Sequence, residues 1–304
     1  MTILTKTAPP SVAAPSGTTA PSTKVRPKWR TEDLGRRIGL VVAVAWIVGL
    51  TVLAYAAPLL PIQSPIVPDT DAIAAGPSAA HWLGTDTYGR DVLARLIYGA
   101  RSSLTVGFAA VLLGMTIGLL FGLIAGYFKG WADSVISAIT DLVLAFPSIV
   151  LLMVLVAVRG PGLTTLVLGL GLTMIPTFTR LARANAMAWS RRDFVRAAEM
   201  AGARPFRVLM RDIAPNVLPS VLSYAVVVIS VVIVGEGALS FLGFGVPAPT
   251  PSWGSMIAQS RSRLTTDPMM VAIPAITLFI TVAAFNLIGD HLRSRGPKRT
   301  EVVL

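Results

Sequence analysis

Long stretches without a charged side chain are the feature that most constrains this sequence. A helix needs about 20 apolar residues to cross the hydrocarbon core of a bilayer. Five uncharged runs reach that length, and a sixth is interrupted only by Asp141. The six runs are residues 38–60, 104–128, 135–158, 160–179, 213–235 and 268–289. Only 13% of the chain is charged, whereas a soluble domain carries about 25%. The sequence therefore predicts an all-α membrane protein with six transmembrane helices.

The distribution of Lys and Arg predicts how these helices are oriented. With the N-terminus placed inside, 20 of the 26 basic residues fall in segments on the inner side. Cytoplasmic loops of membrane proteins carry this excess. We therefore predict that both termini are cytoplasmic. The formal net charge of +11 has the same origin, so we expect no nucleic-acid partner.

Composition divides the chain into three parts. Residues 1–35 are rich in Ala, Pro, Ser and Thr, which predicts a disordered cytoplasmic tail. Residues 36–292 hold the six spans, and residues 293–304 form a second cytoplasmic tail. A cleaved signal peptide is the alternative for the first apolar run. That run is too long and begins too far into the chain, so we predict a retained span.

The sequence lacks the residue patterns that catalysis and metal binding require. It has no cysteine and two histidines, His81 and His291, which excludes thiol chemistry and leaves little for a metal site. The serine-hydrolase, zinc-protease and dinucleotide-binding motifs are absent, and there is no Gly-Lys dipeptide for a phosphate-binding loop. We expect no catalytic residue, no bound metal and no cofactor in this chain.

Four glycines repeat every fourth residue in the second apolar run. Residues with this spacing lie along one face of a helix, where small side chains let another helix approach closely. The sequence therefore predicts a tight helix–helix contact. The four residues are Gly114, Gly118, Gly122 and Gly126.

Asp141 is the ionisable residue that lies deep within one of the six runs. An acid in a transmembrane segment is costly and faces a cavity or a partner. Two interpretations follow. Asp141 lines a substrate path, or it is satisfied by snorkelling or by a hydrogen bond to a neighbouring helix.

Residues 194–216, FVRAAEMAGARPFRVLMRDIAPN, predict two short amphipathic helices on the inner side. Gly202 suits the end of the first helix and Pro205 the first turn of the second. Arg196 and Glu199 are spaced so that they can form an ion pair. The pair of helices either lies flat on the inner leaflet or docks into another protein. The apolar faces comprise Phe194, Ala197, Ala198 and Ala201, then Phe206, Leu209, Met210 and Ile213.

This stretch resembles the cytoplasmic coupling loop of ABC importer permeases, whose pattern is E-A-A-x3-G-x9-I-x-L-P. Four positions match the pattern: Ala197, Ala198, Gly202 and Pro215. Three positions depart from it: Arg196, Asp212 and Ala214. The resemblance places the coupling loop at about residues 184–215.

Two further stretches resemble one family of these permeases. They are HWLGTDTYGRDVLARLIYGARSSL at 81–104 and ALSFLGFGVPAPTPSWG at 238–254. Both look like permeases of the dipeptide, oligopeptide and nickel importers, in particular the shorter, dipeptide permease C-like subunit. The resemblance covers roughly residues 35–295.

The resemblance implies an architecture and a set of partners. It implies a type I ABC importer permease fold in the bacterial inner membrane, paired with a second, different permease. Two ATPase subunits would bind ATP and Mg²⁺, and an extracytoplasmic binding protein would deliver the cargo. The residues implied in ATPase coupling are Arg196, Ala197, Ala198, Glu199, Gly202, Phe206 and Pro215.

The segment before the second span is expected outside, near the mouth of the pathway. Its charged and aromatic residues form either a polar network at that mouth or a purely structural cap. They are Tyr88, Arg90, Asp91 and Arg95.

Peptide is the first choice of cargo, because the resembling family consists mostly of peptide importers. Nickel, haem or another small cargo remains an alternative. A secondary transporter acting alone is a different class of protein. It predicts paired broken helices or several intramembrane charges, and the sequence shows one acid. The missing motifs disfavour a membrane-embedded hydrolase.

Overall fold

The protein, described by a computed structural model over residues 29–295, is built from helices. No strand occurs within those residues. The ten α-helices are α1 Trp29–Ala56, α2 Val92–Phe128, α3 Gly130–Ala145, α4 Ser148–Arg159, α5 Leu163–Trp189, α6 Asp193–Met200, α7 Pro205–Val208, α8 Ala214–Phe241, α9 Trp253–Ser260 and α10 Met269–Arg295. Short 3₁₀ turns occupy Ala57–Leu59 and Arg261–Arg263, and a π turn occupies Leu209–Ile213.

The first helix begins at Trp29, inside the segment 1–35 that the sequence assigns to a disordered tail. The remainder of that segment, and the end of the C-terminal tail, lie outside the described residues. The predicted domain boundaries therefore stay predictions.

Five helical segments are long and apolar enough to cross a membrane. The sixth predicted span, 135–158, corresponds to α3 and α4, which pass the same test together but meet at 84°. Pro147 explains the break. Its ring has no N–H to donate and disfavours a helical residue before it, and Phe146 is extended, with φ −89° and ψ 131°. The predicted six spans hold if the bent pair counts as one.

The helices extend well beyond the uncharged runs. α2 starts at Val92, so Arg95 and Arg101 lie within it, and α5 continues past Arg180 and Arg183 to Trp189. The uncharged runs in the sequence end at charged residues. The helices continue through these residues, because charged groups can lie in a helix where they form ion pairs. Arg95, Arg180 and Arg183 all form such ion pairs.

The tightest contact in the bundle joins α2 to α5 along the four glycines. A Cβ atom at Gly118 would lie 2.6 Å from the Cβ of Phe178 and 2.8 Å from the carbonyl oxygen of Ile175. At Gly122 the corresponding distances, to Ala182 and Thr179, are both 2.5 Å. Backbone therefore packs on backbone, and these positions have no room for a side chain.

Candidate functional site

The predicted coupling loop folds as two short helices around a sharp corner. Gly202 ends α6 in the left-handed region, with φ +80°. Its N–H donates to the carbonyl of Glu199 at 3.0 Å, and the N–H of Ala203 donates to that of Ala198 at 3.1 Å. Pro205 then occupies the first turn of α7. Glycine and proline thus shape the turn in the way their backbone preferences dictate.

The second short helix does not stand alone. α7 passes through the π turn directly into α8, which gives one continuous helical segment from Pro205 to Phe241. Pro215 accounts for the irregular turn, because it lacks the N–H that would bond the carbonyl of Arg211 in a regular helix. The predicted coupling loop and a membrane-spanning helix are therefore parts of one continuous helical segment.

The buried side of the loop differs from the predicted apolar faces. Val195 and Val208 are fully buried and anchor the loop to the bundle. Phe206 is 69% exposed, and Phe194, Met200 and Met210 are exposed as well. The predicted face of the second helix is divided, because Leu209 and Ile213 are buried whereas Phe206 and Met210 are exposed. Of the predicted face of the first helix, Phe194, Ala197 and Ala201 are exposed.

Glu199 is bonded to α2 and not to Arg196. The Tyr127 hydroxyl, at the end of α2, donates to Glu199 Oε1 at 3.0 Å. Arg196 is exposed, and no carboxylate among residues 29–295 forms an ion pair with it. The Arg196–Glu199 ion pair that the i, i+3 spacing allows is therefore absent from the part of the chain that the structure describes. The Arg196 charge faces outward.

Asp86 is the centre of a charged cluster at the opposite end of the bundle. Its Oδ2 lies 2.7 Å from Arg90 Nη2 and 3.2 Å from Arg95 Nε. Arg90 Nη2 also donates to Gln259 Oε1 at 2.8 Å, and its guanidinium lies 4.6 Å from the centre of the Tyr88 ring. The cluster joins the loop before α2 to α9.

Asp91 and His81 extend this cluster, and we call residues 69–95 the outer cap, after the side on which the sequence places them. Asp91 Oδ1 accepts the N–H of Ala94 at 2.7 Å and so caps α2, while its Oδ2 lies 3.0 Å from His81 Nδ1. The other ring nitrogen of His81 is 3.4 Å from Asp69. The hydrogen bond that His81 donates to Asp91 raises the pKa of His81, and the bond that it donates to Asp69 adds to this effect. Hydrogen bonds from Asp71 and then His81 lower the pKa of Asp69.

The structure brings Tyr88, Arg90, Asp91 and Arg95 into this one region of the protein, as the sequence suggested. Their role at a pathway mouth stays a prediction. Asp86 was missed, although its place four residues before Arg90 is a spacing that commonly allows an ion pair.

Glu236 is a buried acid that sequence reasoning missed, because it follows the end of an uncharged run. It lies in α8 and is fully buried. Ser103 of α2 donates to its Oε2 at 3.0 Å, and Ser240 donates to Oε1 at 2.7 Å. The backbone N–H of Trp253 in turn donates to Ser103 at 3.3 Å. Glu236 therefore connects α8 with α2 and, through Ser103, with α9.

Asp141 has a partner on a neighbouring helix. Arg180 Nη2, on α5, lies 2.7 Å from Asp141 Oδ1. A second pair joins the same two helices, with Arg183 Nε and Nη2 donating to the two oxygens of Asp133 at 2.5 and 2.6 Å. The helix–helix interaction considered for Asp141 is thus present, and the alternative role in a substrate path is untested.

No group of three or more His, Asp or Glu side chains in residues 29–295 is arranged to hold a metal ion. The ion pairs Asp141–Arg180 and Asp133–Arg183 each join α3 to α5.

Comparison with known proteins gives a consistent set of likenesses. Residues 118–296 match the family described as "Binding-protein-dependent transport system inner membrane component". The chain is 36% identical to the glutathione transport system permease protein of Pectobacterium atrosepticum, covering 88% of this chain and 90% of that protein. It is 39% identical to the dipeptide transport system permease protein of Alkalihalophilus pseudofirmus, covering 84% and 83%.

Two solved structures show the same fold at lower identity. One is an inward-facing MetNI methionine ABC transporter, with a TM-score of 0.56 and 20% identity over 66% of this chain and 95% of that chain. The other is an amino acid ABC transporter with histidines, with a TM-score of 0.52 and 19% identity over 66% and 94%.

Proposed function

The chain belongs to the inner-membrane components of binding-protein-dependent transport systems, the permeases of ABC importers, and on that premise we propose that its cargo is a small peptide. One observation carries this proposal. Relatives that match along 84–88% of the chain are named for the transport of dipeptides and of glutathione, itself a small peptide.

The predicted type I ABC importer permease fold is confirmed by the methionine and amino acid transporters. The location in the bacterial inner membrane follows from the family and from the apolar helices.

The assembly that we propose has four kinds of component. This chain forms half of the translocation pathway and a second, different permease forms the other half. Two ATPase subunits bind ATP and Mg²⁺ and hydrolyse the nucleotide, while a binding protein delivers cargo from outside. The exposed apolar residues of α6 and α7 support an ATPase contact, because clustered apolar side chains at a surface mark protein interaction sites. They include Phe194, Met200 and Phe206.

The geometry of the coupling loop suggests how ATPase movement reaches the pathway. α7 continues into α8, so a displacement of the loop moves that span directly. α6 is held to the end of α2 through the Tyr127–Glu199 hydrogen bond. Two spans are thus tied to one docking element. Nucleotide on the ATPase subunits would bias the population between inward-open and outward-open states through these two ties.

Uptake by the complete transporter tests the cargo. The permease pair, ATPases and binding protein would be reconstituted in proteoliposomes and offered labelled dipeptides, oligopeptides, nickel and haem. We expect ATP-dependent uptake of peptides and none of nickel or haem. Vesicles without ATP provide the background. Uptake of nickel or haem alone would overturn the peptide assignment while leaving the permease role intact.

A further inference from the structure

The Asp141–Arg180 pair is unusually open for a charged pair within membrane-spanning helices. The Asp141 side chain is 62% exposed and that of Arg180 is 60% exposed. Asp141 lies about 16 Å along α3 from its first residue at a rise of about 1.5 Å per residue, well inside the predicted span. Arg180 lies in α5, directly after the uncharged run 160–179 and nine residues before the end of the helix at Trp189, which places the pair toward the inner end of the bundle.

Lipid is an unsuitable neighbour for this face. Ionisable groups within a bilayer face a bundle interior or a water-filled cavity, because hydrocarbon cannot solvate them. A pair that stays more than half exposed on the isolated chain therefore borders a water-filled space at the inner end of the bundle. The second permease of the transporter would supply the other wall of that space.

The neighbouring pair on the same two helices shows what a purely structural contact looks like. Arg183 donates hydrogen bonds to both oxygens of Asp133, and the two side chains are only 36% and 22% exposed. The Asp141–Arg180 contact uses a single guanidinium nitrogen and a single carboxylate oxygen. Arg180 retains unused N–H donors, and Asp141 retains a free oxygen. These N–H donors and this carboxylate oxygen can bind a ligand in the same space.

We propose that Asp141 and Arg180 bind the charged ends of a peptide during its passage, with Asp141 taking the terminal ammonium and Arg180 the terminal carboxylate. The inference rests on the peptide cargo proposed above. The termini of an extended dipeptide lie about 7 Å apart, so the ion pair opens to admit the peptide and closes after it leaves. The two side chains neutralise each other when the pathway is empty.

The absence of native cysteine gives a direct assay. Ala184 is exposed one helical turn beyond Arg180, so Ala184→Cys places a single thiol beside the pair. The complete transporter in nanodiscs would be labelled with a charged maleimide. The added peptides would be dialanine, N-acetyl-dialanine and dialanine amide. We expect dialanine to slow labelling about tenfold more than either blocked peptide, the loss expected for one charge-assisted contact.

Substitutions assign each terminus to one residue. With Asp141→Asn, dialanine and its N-acetyl form should protect equally, while the amide stays weaker than dialanine. With Arg180→Gln, dialanine and its amide should protect equally, while the N-acetyl form stays weaker. Asp133→Asn is the matched control. It removes an acid from the same helix and should lower thermal stability but keep the wild-type order of protection.

Two outcomes overturn the inference, and they differ in what else they overturn. If the wild-type transporter takes up dialanine but all three peptides protect equally, the pair does not bind the termini, and the peptide cargo stands. If the reconstituted transporter takes up no peptide at all, the cargo proposal fails and this inference fails with it.

Discussion

His81 shows how a single side chain can make the outer cap sensitive to pH. It is buried between Asp91 and Asp69, and these carboxylates stabilise its protonated ring. The pKa of His81 therefore lies above its ordinary value of 6.5. A raised pKa adds stability that is fully present below the unfolded value and is lost as the pH rises through the folded one.

We therefore expect the outer cap to be best protected from hydrogen exchange at pH 6.5 and below, and to lose protection as the pH rises above that value. The contribution of Asp69, whose pKa is lowered, is lost only below 3.8, so the two effects are separate. Exchange of residues 69–91, corrected for the intrinsic pH dependence, measures this. His81→Gln should remove the step above 6.5. A step that persists in His81→Gln would assign it to another group.

Arg196 is exposed and forms no ion pair within residues 29–295, so its charge is available to a neighbour outside the chain. If that neighbour is an acid or a carbonyl of the ATPase, Arg196→Glu should release the ATPase subunits. Removing one side of a desolvated charge pair weakens an interface by about 2–5 kcal/mol. Subunit retention on co-purification and cargo-stimulated ATP hydrolysis measure this.

Arg191→Glu is the matched control, because Arg191 is an exposed arginine just before α6. It should retain the ATPase. Wild-type values for Arg196→Glu in both assays would assign Arg196 to the lipid headgroups, the alternative that its outward position also allows.

At the scale of the helix, glycines of the α2–α5 contact differ from other helical glycines in the space available for a side chain. Gly118 sits where a Cβ atom would meet α5 backbone, whereas a Cβ atom at Gly49 in α1 would meet nothing within 4 Å. Replacing a helical glycine by alanine normally stabilises a helix by about 0.5–1 kcal/mol. Where the added methyl group overpacks a close contact, the substitution instead destabilises the protein by about 1–3 kcal/mol.

Gly118→Ala should therefore lower the unfolding temperature of the purified permease, and Gly49→Ala should leave it equal or higher. Thermal unfolding in detergent compares the two. Equal unfolding temperatures of the two variants would mean that α2 and α5 move apart readily to admit a methyl group.

The elements could be predicted where one local signal sufficed. Gly202 and Pro205 fixed the corner between α6 and α7, and the uncharged runs located the spans. The bend at Pro147 was missed, because proline is tolerated in a transmembrane helix whenever neighbours satisfy the freed carbonyl. The contacts of Glu199 with Tyr127 and of Glu236 with Ser103 join distant segments, which periodicity along the chain does not contain.

At the scale of the whole molecule, the orientation rests on the uneven distribution of Lys and Arg. Tyr88 is exposed in the outer cap and Phe206 is exposed on α7, at the opposite end. In intact cells, an impermeant thiol reagent should label Tyr88→Cys. Phe206→Cys should react only after the inner face is opened. The reverse pattern would invert the topology. The chain contributes no background, because it has no native cysteine.

Glu236 has a consequence for the order in which the protein is made. Its carboxyl group cannot remain alone in hydrocarbon, and its partner Ser103 lies 133 residues earlier in the chain. Because α2 is synthesised before α8, we expect Ser103 to be in the membrane when Glu236 arrives. Trp253, which bonds Ser103 from the far side, is synthesised last of the three. We therefore expect an order of assembly during biogenesis in which α2 receives α8 and the segment that begins at Trp253 then packs against both.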